Sequence, residues 1–204
     1  MSKLIRQGIE SAFSIVNLRR VLSAATTEES KEGIEWYTKA SAIATGPTSK
    51  ETRRAAGAIA ALSPGLSWER NVAEFRRLQA GLGAKFQTGI NWRKAETIYS
   101  GTEPLEVLSG PKTRAFYMNI AYPFSAATTT IDRHAYSALA GRHLTSKELQ
   151  SLDLGSYAKA QDAYVQLAEE NELLPCQVQA IVWVTWRRLK ARNSIEVIID
   201  ERVP

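Results

Sequence analysis

Apolar residues recur at helical spacing along almost the whole chain, and strand-like alternation is nearly absent before Ser194 to Asp200. A period near 3.6 turns one side of each segment toward a core and does not suit a pleated strand, so the expected class is all-α. The last residues, 193–204, read as a C-terminal tail or a short strand. With 204 residues, 44% of them apolar and 23% charged, the chain has enough material for one good core plus an appended helical element.

Punctuation divides the helical pattern. Lys3 to Ala24 and Thr27 to Ala44 read as two amphipathic helices, after which Gly46, Pro47, Thr48 and Ser49 break the chain. Lys50 to Leu62 is expected to end at the Ser63-Pro64-Gly65 turn, and Ser67 to cap a helix from Trp68 to Ala80. Beyond a loop carrying Gly81, Gly83 and Gly89, Asn91 is expected to cap a helix through Tyr99. Pro104 starts a short helix through Leu108, and Gly110-Pro111 joins it to Lys112 to Ala121. Asp132 to Leu139, Tyr157 to Glu172 and Pro175 to Arg192 complete the set. The expected organisation is an N-terminal helical extension over 1–45, a main helical domain over 46–192 and the tail.

A formal net charge of +5 gives a mild bias toward polyanions and decides little alone. Cys176 is the single cysteine, which excludes an intrachain disulfide framework and four-cysteine zinc or iron–sulfur sites, so neither metal nor cofactor is expected. No stretch approaches the roughly 20 apolar residues of a membrane span, so the chain reads as soluble and intracellular.

Three stretches in the middle of the chain carry a more specific signal. They are AIAALSPGLSWERNVAEF (Ala58 to Phe75), RKAETI (Arg93 to Ile98) and VLSGPKTRAFYMNIAYPFSAATTTIDRHAYSAL (Val107 to Leu139). In that order they resemble the early helix pair, the helix leading into the hairpin, and the hairpin with the aspartate helix of the endonuclease III-like helix-hairpin-helix DNA glycosylases. The altered Gly110-Pro111 hairpin resembles the divergence of compact, phage-borne members of that superfamily, and a phage origin would place the protein in a host cytoplasm.

The resemblance implies a compact multi-helix domain of that type, here with extra N-terminal helices and long C-terminal ones, acting on duplex DNA that carries a modified or damaged base. Leu108, Gly110, Lys112, Thr113, Asp132 and His134 take the places of the family's motif residues. Cleaving an N-glycosidic bond builds positive charge on the sugar, which a carboxylate stabilises, and that is the implied role of Asp132. A deprotonated lysine amine can attack the sugar carbon and form a Schiff base, the implied role of Lys112. Ser109, Gly110, Thr113 and Arg114 are candidate DNA contacts around the matched hairpin, and Arg187, beside Trp183 and Trp186 on the C-terminal helix, is a further one. Tyr117, Tyr122, Phe124 and Trp68, which flank the matched segments, are pocket candidates for a flipped base.

The residues admit other readings. Asp132 stands where an N-cap belongs, and Pro111 has no N–H to offer a phosphate where the family's hairpin keeps a second glycine. Trp183 and Trp186, three apart on a helix ending in Arg187, Arg188, Lys190 and Arg192, suit base stacking, but two tryptophans at this spacing more often belong to a core. Two alternatives to excision therefore stay open. One is a phage-type enzyme that modifies a thymine-derived base in place, and the other a non-catalytic nucleic-acid or protein-binding helical module.

Overall fold

The computed structural model describes residues 2–125 and 127–192, and every regular element in them is a helix. In chain order these are α1 (Ser2–Glu10), α2 (Ile15–Ser23), α3 (Thr27–Ala44), α4 (Ser49–Leu62), α5 (Trp68–Gln79) and α6 (Ile90–Tyr99). They are followed by α7 (Pro104–Val107), α8 (Pro111–Ala121), α9 (Arg133–Leu139), α10 (Ser146–Ser151), α11 (Leu154–Glu170) and α12 (Pro175–Ala191). The strand reading of Ser194 to Asp200 lies outside the described residues. No helix among those described is long and apolar enough to cross a membrane.

Three expectations need correction. The single helix expected from Lys3 to Ala24 is two, because Ser14 takes an extended backbone and its hydroxyl accepts from the amide of Val16, which starts α2 afresh. Asn91 does not cap α6; Gly89 holds that position with φ +68° and the helix begins at Ile90. The α10 helix, absent from the sequence reading, is opened by a capping box in which Thr145 and Glu148 satisfy each other's amides.

The described chain divides into two compact units, residues 2–36 with 124–192, and residues 37–123. In the first, α2, α9, α11 and α12 enclose a core that includes Leu18, Val21, Leu139, Tyr164, Val182 and Trp186. Here the beginning of α3 meets α12 backbone to backbone: a Cβ on Gly33 would lie 2.5 Å from the Ile181 nitrogen and 2.6 Å from its Cα. One turn away on either side, Arg188 donates to both carboxylate oxygens of Glu29 (2.6 and 3.0 Å), and Trp36 sets its edge against Trp183 at 6.1 Å. Burial would raise the Glu29 pKa, but the Arg188 guanidinium and the hydrogen bonds from the Thr26 amide and the Thr185 hydroxyl together hold the carboxyl below the usual range.

In the second unit α4 is the central element, packed by α5, α6, α7 and α8. Its residues from Ala55 to Leu62 are all buried. Small side chains on every face let neighbouring helices approach from several directions, which a helix with one apolar stripe does not allow. Ala115, Phe116 and Ile120 of α8 are buried in this unit as well.

Candidate functional site

The residues singled out in the sequence form two groups, one in each unit. The first surrounds Asp132. The segment that delivers it ends in Thr129, Thr130 and Ile131, which are buried and outside regular secondary structure, and Tyr157 of α11 fixes it by two hydrogen bonds. The Tyr157 hydroxyl donates to the Thr129 carbonyl (2.8 Å) and accepts from the Ile131 amide (3.2 Å). About two turns further along α11, the Tyr164 hydroxyl donates to the Ala135 carbonyl at 3.2 Å. Nothing in the sequence reading marked Tyr157, since its partners lie 26 and 28 positions upstream.

Replacing Tyr157 by phenylalanine removes a buried donor and acceptor without changing volume, and leaves the Ile131 amide and Thr129 carbonyl unpaired. The expected cost is about 1–3 kcal/mol. Urea denaturation checks this, and an unchanged midpoint would show that the segment is held by packing alone.

Asp132 is the N-cap of α9. Its Oδ1 accepts from the amides of His134 (2.9 Å) and Ala135 (2.8 Å), while no described residue donates to Oδ2. The cap therefore orients the carboxylate and leaves one oxygen uncommitted on a half-buried side chain. His134 beside it is also half-buried. Its pKa is lowered, chiefly by burial; Asp132 pulls the other way, and Lys190, Arg133 and Arg187 add to the lowering.

The imidazole is consequently neutral at pH 7. A depressed folded value means that the native state binds the proton less readily than the unfolded chain does. The stability contribution of neutral His134 is thus complete above the unfolded value of about 6.5 and is lost as pH falls below it. The chain has two histidines, so a proton NMR titration resolves them; His134 is expected to titrate below 6.5, and a midpoint above that would overturn the assignment.

The two tryptophans that spacing put on one face are separated by burial. Trp186 is fully buried in the core, whereas Trp183 is half-buried and carries the Arg187 guanidinium 4.5 Å from its ring centre. Arg187, Lys190 and Arg133 are all exposed, so a cationic rim lies around the neutral His134.

The second group is the turn into α8. Gly110, at φ +87°, is the N-cap, a conformation that side chains other than glycine rarely adopt, and Pro111 is the first helical residue. Ser109 Oγ accepts from Lys94 Nζ at 2.8 Å, and the Thr113 hydroxyl donates to the Ser109 carbonyl at 2.7 Å. Arg114 is spent internally, donating to the carbonyls of Leu108 (2.8 Å) and Leu105 (3.0 Å). Because Pro111 lacks a donor and the Arg114 amide returns to the Gly110 carbonyl, the first turn offers only the Lys112 and Thr113 amides to a ligand. Lys112 is half-exposed and has no ion pair among the described residues.

The aromatic candidates divide similarly. Tyr117 is buried on α8, and its hydroxyl pKa is pushed up to about 12 by burial and then by neighbouring Tyr122. Trp68, half-buried at the start of α5, sets its edge against Phe116 at 6.4 Å. Tyr122 is 37% exposed and Phe124 72% exposed. The structure thus brings Asp132, His134 and Arg187 together in one unit, and Ser109, Gly110, Lys112, Thr113 and Arg114 together in the other. Among the described residues no group of three or more His, Cys, Asp or Glu is placed to hold a metal.

Comparison with known proteins adds a family. The model described as "Family of unknown function (DUF7178)" matches residues 2–190. No curated protein and no solved structure matches.

Proposed function

We propose that this chain, which belongs to the DUF7178 family, acts on bases in DNA, cleaving the bond between a flipped-out base and its sugar. The observation that supports this reading best is the half-capped carboxylate of Asp132. A cap that served only the helix needs one oxygen, and the second, uncommitted oxygen stands beside a neutral imidazole with cations around it. In that setting a carboxylate faces developing positive charge on the sugar, and the neutral His134 accepts a proton from an attacking water. The Arg133, Arg187 and Lys190 rim holds the phosphates that flank the extruded nucleotide. The resemblance, rather than any geometry, is what makes Lys112 the candidate for a Schiff base, formed by attack of an unprotonated amine.

The test is base release from duplexes carrying a panel of modified pyrimidines and purines, with borohydride added to trap any covalent adduct. Wild-type protein is expected to release base and to give a trapped adduct that Lys112→Gln abolishes. A changed base with neither adduct nor abasic site would replace excision by modification in place. Absence of any chemistry, with DNA binding intact in both variants, would leave a binding module.

A further inference from the structure

Among the charged, exposed and buried polar features of the second unit, the loop between α5 and α6 is the one whose shape and charge agree. Residues 37–123 contain twelve Lys and Arg against six Asp and Glu, an excess of +6 that exceeds the +5 of the whole chain. Between Glu74 and Glu96 there is no acid at all, while Arg76, Arg77, Lys85, Arg93 and Lys94 fall in the same stretch.

The acid that opens this stretch is withdrawn from the surface. Glu74 is fully buried, and its Oε1 accepts from three successive loop amides, those of Lys85 (2.7 Å), Phe86 and Gln87 (3.0 Å). The Gln87 side chain, through Nε2, donates to the carbonyls of Leu62 (3.0 Å) and Pro64 (2.6 Å), and Arg77 Nε donates to the Gly83 carbonyl at 2.8 Å. These bonds hold the loop in one shape before any partner arrives, which removes an ordering cost from binding. The loop displays Phe86, 39% exposed, with Lys85 Nζ 5.2 Å and the Arg70 guanidinium 5.4 Å from its ring centre.

We infer that this loop, rather than the Gly110-Pro111 turn, is the main grip of the second unit on the phosphate backbone of duplex DNA; the inference rests on the base-acting function proposed above. The turn into α8 offers two amides at most, and its arginine is already engaged with two carbonyls. The loop and the neighbouring α5 offer two exposed cations, Lys85 and Arg70, beside an aromatic face, and such cations reach phosphates while the ring packs on sugar. Lys94, whose ammonium donates to Ser109, joins the loop's basic stretch to the turn, so one duplex strand can follow both.

The experiment is fluorescence anisotropy with a labelled 20-base-pair duplex at several KCl concentrations, using R70Q/K85Q, Phe86→Ala and Lys112→Gln. Each phosphate contact contributes about 0.9 to the slope of log K against log salt, so R70Q/K85Q is expected to flatten the slope by about 1.8. Its affinity should fall at least tenfold near 0.1 M salt. Phe86→Ala should weaken binding without changing the slope, because it carries no charge. Circular dichroism confirms that each variant remains helical.

Unchanged affinity and slope in R70Q/K85Q, with the loss appearing in Lys112→Gln instead, would overturn this inference and leave DNA as the partner. Poly-glutamate competing as well as DNA at equal charge would also overturn it, in favour of an acidic polypeptide. Wild-type protein that binds no duplex would remove the proposed function itself.

Discussion

Asp132→Asn is expected to slow base release by about 10²–10³-fold while leaving the thermal midpoint unchanged. Asparagine caps a helix as well as aspartate, so Oδ1 can still accept from the amides of His134 and Ala135 and α9 keeps its start. What the substitution removes is the negative charge, and a preorganised charge facing a charged transition state contributes on that scale. The pairing of a large rate loss with an unmoved midpoint is the signature, because a cap lost for structural reasons would shift stability instead. A rate within threefold of wild type would reduce Asp132 to a capping residue.

Gly33→Val has the largest expected effect on the fold. Overpacking against a flexible side chain relaxes at modest cost, but the Ile181 nitrogen and Cα that meet the added Cβ belong to a helix backbone held within a buried core. About 3 kcal/mol of stability is expected to go, which in a protein of this size lowers Tm by roughly 6–12 °C. Gly8 supplies the opposite sign. It is exposed in α1 with nothing within 4 Å of a Cβ, so Gly8→Ala should stabilise by about 0.5–1 kcal/mol through helix propensity alone. Two glycine substitutions with the same sign would refute the close approach of α3 and α12.

The helical class was legible because apolar periodicity is a local property, and most helices start and stop near the positions their caps and breakers mark. The failures have local causes too. Ser14 restarts a helix with neither proline nor glycine to announce the break, and α10, at six residues, is too short to show a period. Burial within a helix was harder to read. Trp183 and Trp186 are equivalent by spacing, and only the packing of α12 on its neighbours buries one and leaves the other half in solvent.

The candidate site was legible where its chemistry is carried by neighbours in sequence. Asp132 with His134, and Ser109 with Gly110, Lys112 and Thr113, are such groups. Tyr157 and Glu74 are not, since each acts on backbone groups at least eleven positions away, through bonds that exist only after folding. The acid-free stretch around Lys85 was visible as composition, but its meaning depends on Glu74 being buried beneath the loop.

The unit that holds Asp132 is assembled from both flanks of the chain, with the whole of 37–123 between them. On a ribosome adding roughly 5–20 residues per second, α1 and α2 emerge on the order of ten seconds before α9, α11 and α12, the helices that enclose a core with α2. The intervening unit contains its own central helix, α4, and the helices α5 to α8 that pack on it, so it can fold while the first is still waiting. Leu18 and Val21, which are fully buried in the finished protein, spend that interval without their partners. For that interval α2 is the segment a chaperone or protease can reach, far in sequence from the aspartate that its later packing sets in place.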